Sequence, residues 1–139
     1  MYIIKTTARF DSAHFLKGYS GKCSNLHGHR WSIEAEIASE SLIEQGGLNG
    51  MVADFSDVKH DLRAIANTFD HALIYEKDSL RTDTLSALQA EGFKLIELDY
   101  PPTAENLARC FYNLMKDKGY RMYRMTVYET PDNCAVYTE

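Results

Sequence analysis

Three of the five histidines in this 139-residue chain lie within its first 29 residues, close to one of its three cysteines. His27 and His29 are two positions apart in the segment CSNLHGHRW, and side chains two apart on a β-strand point to the same face. His14 ends an earlier β-like segment and would lie beside this pair in a hairpin. A lone histidine at a strand end is usually a hydrogen-bonded polar residue. Three together favour a catalytic zinc site, which has three protein ligands and one open position.

Cys23 precedes His27 by three intervening residues, and this spacing leaves its role open. The thiol could be a fourth zinc ligand, a catalytic base or an inert loop residue. Near a divalent cation or an imidazolium a thiol ionises more readily, and the thiolate can then accept a proton. The remaining cysteines, Cys110 in a predicted helix and Cys134 in a predicted hairpin, are interpreted as core or turn residues.

Two further polar features lie at the ends of predicted elements. Asp70 and His71 are adjacent after a predicted helix, and a carboxylate beside an imidazole fixes its tautomer and raises its basicity, which suits proton transfer. Glu129 ends a predicted strand. Considered alone, the first pair is more often a helix cap and the second a solvated carboxylate.

Composition limits the class of protein. The length favours a single domain over residues 1–139, and 45% hydrophobic residues can fill a core. A net charge of −5 argues against a nucleic-acid-binding protein, which usually presents a basic face. No apolar segment resembles a secretory signal or approaches the roughly 18 residues of a membrane span. An odd number of cysteines without CxxC spacing predicts a reduced, cytoplasmic protein.

The hydrophobic pattern predicts strands and helices in a defined order. Period-two alternation and turn residues predict two strands at 2–14 and 27–38 and three shorter ones in the segments FKLIELD, RMYRMTVYE and CAVYTE. Helical spacing predicts helices at about 56–68, before Gly92, and from Thr103 to before Gly119. Paired strands at both ends with helices between them indicate an α+β domain with helices on one face of the sheet.

Six motifs, in the order FDSAHFL, CSNLHGH, VADFSDVK, FDHAL, PTAENLA and VYET, resemble the 6-pyruvoyl-tetrahydropterin synthase and 6-carboxy-tetrahydropterin synthase family. The resemblance covers most of the chain. It implies the tunnelling fold (T-fold), an antiparallel four-stranded sheet with helices on one face that oligomerises into a barrel. It also implies a homo-oligomer, a hexamer, with active sites at subunit interfaces.

The resemblance assigns roles to the histidines, the cysteine and the Asp-His pair described above. It implies that zinc is bound by the three histidines His14, His27 and His29. It implies that Cys23 is a catalytic proton-transfer group rather than a ligand. The catalytic pair Asp70 and His71 would reach the site of a neighbouring subunit.

The resemblance also implies which residues hold the substrate. Glu129 would anchor the guanidine-like edge of a pterin by paired hydrogen bonds, with Thr103 and Glu105 as pocket contacts. Three residues separate Cys23 from the HGH motif, as in the bacterial 6-carboxy-forming enzymes of queuosine (7-deazaguanine) biosynthesis. Animal-type pyruvoyl-forming enzymes resemble a pattern with a longer spacing.

The expected activity is therefore a zinc-dependent lyase reaction. It converts 7,8-dihydroneopterin triphosphate to 6-carboxy-5,6,7,8-tetrahydropterin, acetaldehyde and triphosphate. One alternative is a 6-pyruvoyl-tetrahydropterin synthase or related dihydropterin side-chain lyase. Another, of a different class, is a non-catalytic zinc-bound oligomer that binds pterins. The segment 72–100 is longer than in the shortest family members, and we expect any difference in substrate preference to arise there.

Overall fold

A single sheet and three α-helices make up the computed structural model, which describes residues 1–139. The strands are β1 (Tyr2–His14), β2 (His27–Ser39), β3 (Ala72–Glu76), β4 (Leu95–Leu98), β5 (Met122–Thr130) and β6 (Asn133–Tyr137). The helices are α1 (Phe55–Phe69), α2 (Thr82–Ala90) and α3 (Ala104–Asp117). The sheet order is β4-β3-β1-β2-β5-β6. None of the helices is both long and apolar enough to span a membrane.

The long hairpin formed by β1 and β2 positions the three histidines at one end of the sheet. The two strands pair antiparallel along their full length, from Tyr2 opposite Ser39 to His14 opposite His27. The alternation of β2 buries Trp31 and Ile33 on one face, and His27 and His29 continue the same parity toward the loop end of the hairpin. The predicted pairing of these two strands is confirmed.

Helices α1 and α3 pack on the face of the sheet that carries Trp31. Phe111 of α3 is fully buried, and its ring meets those of Phe10 and Phe69 edge-on with centroids 5.9 and 4.9 Å apart. Phe10 in turn stacks on Trp31 with centroids 6.0 Å apart. This aromatic core lies directly beneath the histidine end of the hairpin, because Trp31 also contacts His14 and His29.

The predicted four-stranded antiparallel sheet is wrong in two details, since the sheet has six strands and two of its pairings are parallel. β3 was not predicted, and both β3 and β4 join the sheet in parallel, with β3 pairing to Ser12–His14 at the end of β1. The sequence ALIYE of β3 lacks alternation because a parallel strand is covered on both faces. Its residues Ala72, Ile74 and Tyr75 are buried. The long segment 72–100 therefore forms a β3-α2-β4 unit at the edge of the sheet.

Two stretches of strand have free hydrogen-bonding edges in addition to the outer edge of β4. β3 pairs only with the last three residues of β1, so residues 2–10 of β1 have a strand partner on one side only. β6 forms the opposite edge of the sheet. Unpaired backbone groups on strand edges can pair with another chain.

We expect Phe111→Ala to lower the free energy of unfolding by about 3–5 kcal/mol, because it removes a fully buried ring and leaves a cavity. Urea denaturation followed by circular dichroism measures this change. Phe93→Ala is the matched control, since 59% of Phe93 is exposed, and we expect a change below about 1 kcal/mol. Equal effects of the two substitutions would contradict the placement of the core.

Candidate functional site

The three histidines of the hairpin converge at its loop end. One ring nitrogen from each of His14, His27 and His29 lies within 4.8 Å of the others. All three Nε2 atoms are buried and have no hydrogen-bond partner. A buried polar atom without a partner is costly and calls for an explanation. The arrangement fits a cation that takes imidazole ligands and lies between the three rings.

Backbone carbonyls fix the tautomers of two of these rings. His14 Nδ1 donates to the carbonyl oxygen of Pro102 at 2.7 Å, and His27 Nδ1 donates to that of Asn25, also at 2.7 Å. Because a carbonyl only accepts, the proton is on Nδ1 and the lone pair is on Nε2. Metal-binding histidines are usually oriented by such a second hydrogen bond. Three buried imidazole nitrogens form a donor set that suits zinc.

Burial also keeps two of the histidines neutral. Desolvation lowers the pKa of His14, and the hydrogen bond to Pro102 opposes this shift only in part. Desolvation likewise lowers the pKa of His29, against the opposing charge of Glu129. Neutral imidazole is the form that binds a metal, so both rings stay competent for binding below their ordinary titration range.

The metal-free protein is expected to lose stability as the pH falls below about 6.5, the ordinary histidine pKa. Below that value the unfolded chain binds more protons than the folded chain, so the free energy of unfolding decreases. Above it this contribution is constant. Urea midpoints measured from about pH 7.5 to 5 test the slope. In His14→Gln the free energy of unfolding should depend less strongly on pH. A wild-type free energy of unfolding that does not change over this pH range would contradict the expectation.

A cavity of about 390 Å³ opens beside the histidine cluster. It brings together four of the residues predicted to act on the substrate: Cys23, Thr103, Glu105 and Glu129. They come from the β1–β2 loop, the start of α3 and the end of β5. The remaining lining residues, which the sequence patterns did not indicate, are Leu16, Tyr19, Ala104, Asn133, Cys134 and Ala135.

Glu129 borders both the cavity and the histidine cluster. Its Oε1 atom lies 3.4 Å from His14 Nε2 and 3.6 Å from His29 Nε2. The register between β5 and β6 shifts between Tyr128 and Thr130, so Glu129 is the extra residue of a β-bulge. Alternation along β5 places Glu129 on the same face as the buried Met125 and Val127, so this strand-end carboxylate faces the site instead of solvent.

Thr103 and Glu105 lie at the amino end of α3. The Thr103 side chain caps the helix by accepting from the backbone N–H of Asn106 at 3.3 Å, and its hydroxyl proton remains available to a ligand. Glu105 is exposed in the first turn, where a negative charge is favourable next to the helix dipole. Both side chains therefore border the cavity while stabilising the helix start.

Asp70 and His71 do not line this cavity in the same chain. Asp70 ends α1, and its Oδ1 accepts from the backbone N–H of Asp11 at 2.8 Å, while its Oδ2 lies 2.8 Å from His71 Nδ1. The Asp11 N–H and then His71 lower the pKa of the Asp70 carboxyl. The His71 side chain is 79% exposed on a backbone with φ of 54°. The pair is rigidly held and presented to the outside of the chain.

Comparison with known proteins identifies the chain's relatives. The family model described as 6-pyruvoyl tetrahydropterin synthase matches residues 3–139. A protein of Haemophilus influenzae named 6-carboxy-5,6,7,8-tetrahydropterin synthase is 35% identical, with 100% of both chains covered. A protein of Rickettsia felis with the same name is also 35% identical, over 96% of this chain and 99% of its own.

Solved structures share the architecture. An uncharacterized protein of Wolinella succinogenes superposes with a TM-score of 0.82 at 19% identity, covering 99% of this chain and 98% of its own. The 6-pyruvoyl tetrahydropterin synthase of Caenorhabditis elegans superposes with a TM-score of 0.69 at 21% identity, covering 99% and 95%. These likenesses confirm the predicted α+β tunnelling fold. By its sequence and its fold, this chain belongs to the 6-pyruvoyl tetrahydropterin synthase family.

Proposed function

We propose that the protein is a zinc-dependent 6-carboxy-5,6,7,8-tetrahydropterin synthase, a lyase of queuosine biosynthesis that acts in the cytoplasm on 7,8-dihydroneopterin triphosphate. One observation carries the proposal: the cavity joins a thiol and a carboxylate, Cys23 and Glu129, to a cluster of three unpartnered imidazole nitrogens. The full-length identity of 35% to a protein with this name supports the choice within the family.

Substrate orientation follows from the carboxylate at the β-bulge. A pterin presents two adjacent N–H donors at its pyrimidine edge, and one carboxylate can accept both. Glu129 would hold this edge, with Thr103 and Glu105 at the rim contributed by α3. The substituted side chain leaves the ring at the end opposite this edge, and the proposal places it at the histidine cluster.

Proton transfer is the task of the remaining residues. When bound by His14, His27 and His29, zinc supplies Lewis-acid chemistry that acidifies a hydroxyl and its neighbouring C–H. Cys23 lines the cavity, where its sulfur would accept a proton from the substrate side chain. His71 provides a second proton-transfer group at Nε2, since its Nδ1 faces Asp70.

Asp70 and His71 are proposed to serve the cavity of a neighbouring subunit in a homo-hexamer. Within one chain the pair lies outside the cavity, and His71 is among the more exposed side chains. The free edges of β1 and β6 supply the backbone groups through which subunit sheets could join into a barrel. Both features support sites shared between chains.

Mixing two inactive variants tests the shared site. We expect Cys23→Ala and His71→Ala each to be inactive alone. Co-expressed with different tags and purified as mixed oligomers, they should regain about a quarter of wild-type activity, because random assembly rebuilds that fraction of sites. Mixing the separate oligomers without dissociation is the control. Absence of recovery in verified mixed oligomers would contradict the role of His71 in a neighbouring site.

Product analysis tests the reaction itself. Zinc-loaded protein is incubated with 7,8-dihydroneopterin triphosphate, and the products are identified by mass spectrometry. Formation of 6-carboxy-5,6,7,8-tetrahydropterin with acetaldehyde is the expected result. A 6-pyruvoyl product would replace the proposal with the alternative synthase, and binding without turnover would favour a non-catalytic pterin-binding oligomer.

A further inference from the structure

Tyr19 is the aromatic residue in the wall of the site cavity. The other lining residues are aliphatic, polar or carry a thiol, and none of them presents a flat ring. Tyr19 is 56% exposed, and its hydroxyl makes no hydrogen bond in the structure. Such an exposed ring contributes little to the stability of a single chain, and its face is free to contact a ligand in the cavity.

The position of the ring is set by Gly21. The Tyr19 ring packs so closely over Gly21 that a Cβ atom added there would lie 2.7 Å from Tyr19 Cε1. Gly21 has an extended backbone, with φ of 170°, which any residue can adopt. Only the position of the ring, and not the backbone conformation, therefore opposes a side chain at position 21. A methyl group at position 21 would displace the ring while leaving the backbone unstrained.

The loop that carries Tyr19 is closed on itself. The backbone N–H of Leu16 donates to the carbonyl of Cys23 at 2.9 Å, and the N–H of Tyr19 donates to that of Leu16 at 3.3 Å. The Ser24 hydroxyl donates to the Gly21 carbonyl at 2.8 Å. These bonds fix Tyr19 relative to the thiol of Cys23, so an aromatic face and a reactive group are presented to the cavity by the same short loop.

We propose that Tyr19 contacts the substrate and determines specificity for flat, bicyclic rings, by covering one face of the pterin held at its edge by Glu129. A carboxylate fixes the edge of a heterocycle but leaves its faces exposed to water, and stacking on an aromatic side chain removes one face from water. This inference rests on the proposed function, because it takes the ligand to be a pterin.

Binding of neopterin, a fluorescent pterin without the triphosphate, tests the inference on the zinc-loaded full chain. We expect Tyr19→Ala to raise the dissociation constant about tenfold, as loss of one stacked ring does for nucleobases. Tyr19→Phe should keep wild-type affinity, because it retains the ring. Tyr123→Ala is the matched control, since Tyr123 is also exposed, at 39%, and lies outside the cavity lining.

A second, independent test uses the substitution Gly21→Ala. By displacing the ring it should weaken neopterin binding on its own but have no further effect when combined with Tyr19→Ala. If the effects of the two substitutions on the dissociation constant add in the double variant, Gly21 acts through Cys23 instead of through the ring. If Tyr19→Ala binds neopterin with the wild-type dissociation constant, the inference is overturned and the proposed function remains intact. Failure of the wild-type protein to bind neopterin would overturn the inference together with pterin recognition.

Discussion

His29→Ala is expected to abolish zinc binding and, with it, turnover. The substitution removes one of three ligands and leaves two, and loss of a supporting group alone already costs a metal site about 10–100-fold in affinity. We expect a larger loss here, above roughly 100-fold. His29 is the appropriate position because His14 is 1% exposed and packs against Trp31, so that its removal would also damage the core.

Zinc content per chain, measured by inductively coupled plasma mass spectrometry after dialysis, provides the readout. His60→Ala is the matched control, because His60 is an exposed histidine on α1 outside the cluster. It should retain both zinc and activity. A His29→Ala protein that keeps a full complement of zinc would contradict the assignment of the three histidines as ligands.

Cys23→Ala is expected to lower kcat by about 10²–10⁴-fold, the range typical for removal of a group that transfers a proton in the transition state. Zinc should remain bound, because the cluster of ligand nitrogens is complete without the thiol. The affinity for neopterin should change little, since Glu129 still holds the ring edge. Steady-state kinetics and zinc content measured on the same preparation separate these effects.

Cys110→Ala is the control for Cys23→Ala. Cys110 is partly buried in α3 and does not line the cavity, so its removal should leave kcat unchanged. Loss of zinc from Cys23→Ala would identify the thiol as a fourth ligand, which is the interpretation that the sequence spacing also allowed. Retention of both zinc and full activity would mean that Cys23 is an inert loop residue.

The metal cluster could be predicted from the sequence because it depends on local periodicity. The positions of His27 and His29 on one face follow from the two-residue repeat of a strand. The full-length pairing that places His14 opposite His27 follows from matching the buried faces of two amphipathic strands, since a slip of one residue would expose the core. The amphipathic helices and Thr103, where α3 was predicted to begin and which caps it, are local signals of the same kind.

β3 and the closeness of Glu129 to the histidines could not be predicted. The run Ala72–Glu76 is short and covered on both faces, so it has no periodic signal and its identity as a strand depends on β1 and β4 lying beside it. Alternation along β5 gives Glu129 the same face as Met125 and Val127, but its position beside the histidines depends on the pairing of β5 with β2.

The sequence by itself determined the histidine cluster, the main hairpin and the packing faces of α1 and α3, because each follows from repeats within an element or from matching the repeats of two neighbouring strands. Only the tertiary structure decided which loop, strand and helix ends meet around the cavity, and that Tyr19 and Cys134 lie in its wall. It also decided that Asp70 and His71 are held outside that cavity. These outcomes depend on contacts between residues far apart in the chain, which the pattern within any single element does not specify.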